Sequence, residues 1–76
     1  MVETIREHMP VVANDGQHVG TVDGVEGDHI KLTQDDATSG GQHHLIPLSW
    51  VDAVEGGTVK LTRSYGDALQ NWQPAG

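Results

Sequence analysis

The chain has 76 residues, enough for one small domain and too few for a two-domain enzyme. Eleven acidic residues against four basic ones give a net charge of −7, the wrong sign for gripping nucleic-acid phosphates. Cysteine is absent, which removes disulfides and thiolate metal sites, and nine Val with no Phe favour strands around a thin core.

Residues 1–9 mix charges with single apolar residues and contain no apolar run of the kind a targeting signal needs. No apolar stretch is long enough to span a bilayer, so the expectation is a cytoplasmic protein without membrane insertion. Val11-Val12-Ala13, the turn Asn14-Asp15-Gly16 and His18–Val22 then read as a β-hairpin on an Asp-Gly turn.

An internal repeat follows. Residues 22–33 (VDGVEGDHIKLT) and 51–62 (VDAVEGGTVKLT) agree at eight of twelve positions, at an offset of 29. Each copy predicts a hairpin, with Gly27-Asp28 and Gly56-Gly57 as two-residue turns and with Gly27 and Gly56 at positive φ. Val25 then faces Ile30, and Val54 faces Val59. An unbroken ladder would put Val22 and Val51 on the wrong face. One extra residue at Asp23-Gly24 and at Asp52-Ala53 sets Val22 opposite Leu32 and Val51 opposite Leu61. Ala53 in the second copy argues against a bulge that needs positive φ. Two matching bulges bend two hairpins, which is how a short sheet curls into a barrel.

Between the copies, residues 34–42 form a polar loop, and residues 43–48 form a strand whose Pro47 belongs at an edge or bulge. Ser49-Trp50 makes a short turn into the second copy. Beyond Thr62 the pattern becomes helical: Ser64 and Asp67 have capping-box spacing, Tyr65, Ala68, Leu69 and Trp72 share one face, and Pro74 ends the element. The expected architecture is one all-β domain over 1–76. Its core, 5–63, is a strongly bent barrel of about six short strands on two pseudo-symmetric hairpins, and a helix over 64–72 follows.

The runs Met9–Asp23 and His44–Asp52, above all Asp15-Gly16, Val19-Gly20-Thr21-Val22 and Ile46-Pro47-Leu48, resemble PRC-barrel-like domains. The closest likeness is to short bacterial single-domain members of unknown function, and it covers roughly residues 5–72. The resemblance implies a small bent barrel related to the end of the ribosome maturation factor RimM and to the reaction-centre H subunit. In those proteins the barrel docks protein partners, and no catalytic residue comes with the fold.

Catalytic motifs are not found: there is no Gly-x-Ser-x-Gly elbow and no phosphate-cradling glycine loop. His8, His18, His29, His43 and His44 raise a metal reading, but no pair has ligand spacing, and His43 and His44 point to opposite faces of one strand. His44 shares a face with Ile46 and Leu48, where burial would make protonation costly. Asp35, Asp36 and Ser39 lack a calcium-loop pattern, and Asp23 and Asp52 read as caps for the bulge backbone.

No catalytic, cofactor or metal site is therefore assigned. The reading is a non-enzymatic interaction or adaptor module. The alternatives are a small His-rich ligand- or metal-binding protein and, opposed by the charge, an RNA-associated module. A homodimer and a further protein partner are expected, without DNA. The small Val, Ile and Leu residues already fill the inward positions of a barrel, which leaves Trp50, Tyr65, Leu69 and Trp72 as interface candidates.

Overall fold

A computed structural model describes residues 4–34 and 39–75. Strands β1 (Pro10–Val12), β2 (His18–Glu26), β3 (His29–Leu32) and β4 (His44–Pro47) lead into a 3-10 turn over Leu48–Trp50. Strands β5 (Val51–Glu55) and β6 (Thr58–Leu61), helix α1 (Tyr65–Asn71) and a two-residue strand β7 (Gln73–Pro74) complete the chain.

Both repeat hairpins have the expected register. Val22 pairs with Leu32 and Val25 with Ile30, while Val51 pairs with Leu61 and Val54 with Val59. The register slips between Val22 and Gly24 and again between Val51 and Ala53, and neither Gly24 nor Ala53 has positive φ. The equivalence extends to the hydrogen bonds closing each copy: Thr33 N–H donates to the Thr21 carbonyl and Thr62 N–H to the Trp50 carbonyl, each at 2.8 Å. The turns differ. Gly56 and Gly57 both have positive φ (61° and 76°), as a type I′ turn needs, whereas in the first turn only Gly27 does (57°).

The first hairpin closes on Gly16 at φ 85°, with Gly16 N–H bonded to the Ala13 carbonyl at 2.9 Å. A further irregularity separates Val11 from Val12.

The seven strands form one sheet in the order β5-β6-β1-β2-β3-β4-β7. β2 is the spine, pairing β1 through its first half and β3 through its second, which carries the bulge. β1 lies antiparallel to β2 and parallel to β6, which joins the two repeat copies. The expectation of about six strands closing a barrel is corrected here. A seventh strand extends the far end, and β5 and β7 do not pair among the described residues, so the sheet is bent but not closed.

The concave side holds Val11, Val19, Val22, Ile30, Leu32, Ile46, Val54, Val59 and Leu61, all essentially without solvent contact. Ala68 from the helix joins them, together with Met9, Ala13 and Trp50. One apolar position departs from the repeat. Val25 is 47% exposed, although its equivalent Val54 is fully buried and its cross-strand neighbour Ile30 is covered. Val25 borders an open groove beside Ile5, Arg6 and Glu7, whereas Val54 belongs to the core cluster. No helix among the described residues is long and apolar enough to cross a membrane.

Candidate functional site

Helix α1 starts where its local chemistry places it. Ser64 Oγ accepts the Asp67 N–H at 3.2 Å, and the Asp67 carboxylate takes Arg63 at 2.8 Å and Asn71 Nδ2 at 3.0 Å. The β1–β2 turn pins the same end: Asn14 N–H donates to the Arg63 carbonyl at 2.9 Å, and Asn14 Nδ2 donates to the Thr62 carbonyl at 2.9 Å. These bonds set the seven-residue helix against β2. Removing the cap by Ser64→Ala should cost about 1 kcal/mol, and Ser64→Gly only a few tenths. Thermal melts of the two variants beside the parent check both, and equal melting points for all three would show that the cap contributes nothing.

All four interface candidates meet the chain's own core. Trp50 is buried at 6% exposure, with the Arg63 guanidinium 5.0 Å from its ring centroid. Tyr65, Leu69 and Trp72 are half-buried and pack against the core cluster. The helix therefore has a berth on its own chain, because the open concave face of the sheet leaves room for Ala68 and its neighbours.

Trp72 also meets a residue that the sequence placed on another element. Its ring stacks on His44, with centroids 3.9 Å apart and planes 14° from parallel. As the strand alternation implied, His44 points inward beside Ile46, and it is 7% exposed. Burial holds its pKa below the usual histidine value, while a hydrogen bond with the Gln42 backbone works the other way. Its Nδ1 is buried without a hydrogen-bond partner. His43 faces the other side, its Nδ1 3.0 Å from the Leu32 carbonyl. The β4–β7 pairing that brings Trp72 here was not legible, since Gln73-Pro74 signals only the end of a helix.

The remaining histidines are spread out, His8 and His18 exposed and His29 half-buried. Among the described residues, no group of three or more His, Cys, Asp or Glu side chains could hold a metal ion. Asp35 and Asp36 lie outside the described residues. Asp23 and Asp52 are exposed and make no side-chain hydrogen bond to the bulges among the described residues, so the capping role expected of them is corrected. Glu26 and Glu55 face solvent, and Lys60 binds Glu55 at 3.0 Å and lowers its pKa.

Two further features lie on the surface. An open groove of about 520 Å³ runs between Ile5, Arg6 and Glu7 and the stretch Val22, Gly24 and Val25. Among the described residues, the outer edge of β5, from Val51 to Glu55, is the free end of the sheet. The other end, β7, is two residues long and carries Pro74, features that blunt a sheet edge. β5 is five residues with no proline.

The model of a family described as an uncharacterized protein conserved in bacteria (DUF2171) matches residues 5–68. No curated protein and no solved structure matches the chain.

Proposed function

This chain belongs to that conserved bacterial family, and we propose that it works as a non-catalytic protein-interaction module of PRC-barrel-like kind, pairing with a second copy of itself through β5. The observation that carries this reading is the free β5 edge in a sheet whose other end is blunted. An unpaired strand presents a row of backbone donors and acceptors and is a template for another strand. Two copies meeting antiparallel across a two-fold axis would satisfy both rows at once, in the commonest form of soluble assembly. The two bulged hairpins are the features that support the likeness to the small bent barrels, and the present sheet is read as an opened form of them.

Light scattering at tens of micromolar should give twice the chain mass, and a single-chain mass would overturn the proposal. Because the chain has no cysteine, a single introduced one reports contacts cleanly. Ala53→Cys, at the middle of β5, should form a disulfide-linked dimer under mild oxidation far faster than Gln17→Cys on the β1–β2 turn. Equal rates would move the interface away from β5, and a Trp72→Ala variant reduced to a monomer would place it on the helix.

A further inference from the structure

The end of β4 combines a titratable ring with a weakly held segment. His44 is 7% exposed, its Nδ1 lacks a partner, and its face is covered by Trp72. The segment that supplies Trp72 continues into β7, which pairs with β4 only at His44–Pro74 and Leu45–Gln73. Pro74 has no N–H to give, and the last bond is Ala75 N–H to the His43 carbonyl at 2.9 Å. Two strand residues, the Ala75 bond, the Trp72 N–H bond to the Ala68 carbonyl at 3.0 Å and the packing of Trp72 on His44 and the core edge hold the strap down.

We infer that Trp72–Ala75 is a proton-released latch, with His44 as its trigger. The neutral ring tolerates this site. An imidazolium there would lose its hydration and carry an Nδ1–H with no acceptor, a cost that the hydrogen bond with the Gln42 backbone offsets only in part. The face of Trp72 attracts a cation, but one ring face returns less than the hydration that burial removes.

Among the described residues, no other ionisable group compensates. His43 lies on the opposite face of β4, and His29 and Lys31 alternate away from the inward Ile30 and Leu32 on β3. Asp67 on α1 is engaged by Arg63 and Asn71, and β7 has no charged residue. Lifting the strap rehydrates the ring and leaves both repeat hairpins intact.

The direction follows from linkage. The closed form binds the proton more weakly than the open form. Above the ordinary histidine pKa of about 6.5 both forms are neutral and the latch stays shut. As pH falls below it, the open fraction grows by up to about tenfold per pH unit until the ring of the closed form titrates too.

Amide hydrogen exchange, corrected for the intrinsic rate, should show Ala75 protection falling severalfold, up to a limit of about tenfold, between about pH 7.5 and pH 5.5. The Thr62 amide, bonded to Trp50 in the second hairpin, should keep its protection. In His44→Phe, which keeps a stacking ring but cannot titrate, Ala75 should stay protected throughout. An equal fall in that variant, or a parallel fall at Thr62, would overturn the latch. Direct titration of the ring by NMR provides the second arm. His44 should titrate below the ordinary value in the parent and move up towards it in Trp72→Ala. An ordinary value in the parent excludes the mechanism.

Discussion

Ile30→Ala is expected to remove about 2–5 kcal/mol of folding stability. Ile30 lies at the middle of the bent sheet, paired with Val25 on β2 and Ile46 on β4, and it has no solvent contact. Truncation would leave a cavity lined by β-sheet side chains that cannot collapse without breaking strand pairing on both sides. At roughly 0.05–0.15 kcal/mol per residue, a chain of this length has about 4–11 kcal/mol in total, so one side chain carries a large share. The melting temperature should drop by at least about 8 °C, taking 4 °C per kcal/mol as the lower bound. Val25→Ala, directly across the ladder but half-exposed, should change stability by about 0.5 kcal/mol or less. Its repeat equivalent, Val54→Ala, should resemble a core truncation. Urea unfolding of the three variants checks this ordering, and equal costs for Val25→Ala and Val54→Ala would contradict the observed asymmetry.

Alanine at the turn glycines is expected to cost about 1–2 kcal/mol per site. Gly27 at φ 57° and Gly57 at φ 76° occupy the left-handed region, where a Cβ crowds the following carbonyl. Space is not the issue, because no atom lies within 4 Å of a Cβ built at either position. Gly24→Ala should go the other way. That glycine has ordinary φ and the same open surroundings, and Ala53 already fills the matching bulge position in the second copy. Restricting the unfolded chain there should add about 0.4–1 kcal/mol. Opposite signs at Gly24 and Gly27, three residues apart in one hairpin, would separate backbone strain from a general intolerance of β2. Denaturant midpoints read both, and a destabilised Gly24→Ala would refute the bulge geometry.

Much of the chain was legible because neighbouring segments pair with each other. A two-residue turn forces the ladder that follows it, and the mismatch of Val22 with Thr33 then demands a bulge, so registers and bulges followed from spacing alone. The Ser64 cap was equally local: side chain and recipient N–H are three residues apart. The inward turn of His44 needed only the alternation of its strand.

What the sequence could not decide depends on which distant surface covers a given face. Val25 and Val54 hold equivalent places in the repeat and have opposite fates, because Val54 meets the core cluster whereas Val25 borders an open groove. Barrel closure was read from two bent hairpins, yet whether β5 reaches β7 depends on the summed twist and bend of all seven strands. The parallel pairing of β1 with β6 and the meeting of Trp72 with His44 join residues far apart in the chain. Local pattern therefore determined each hairpin of this protein and the start of its helix. Only the packed fold decided the order of the sheet, the berth of the helix and the partner of His44, since contacts across the core depend on faces that no local spacing records.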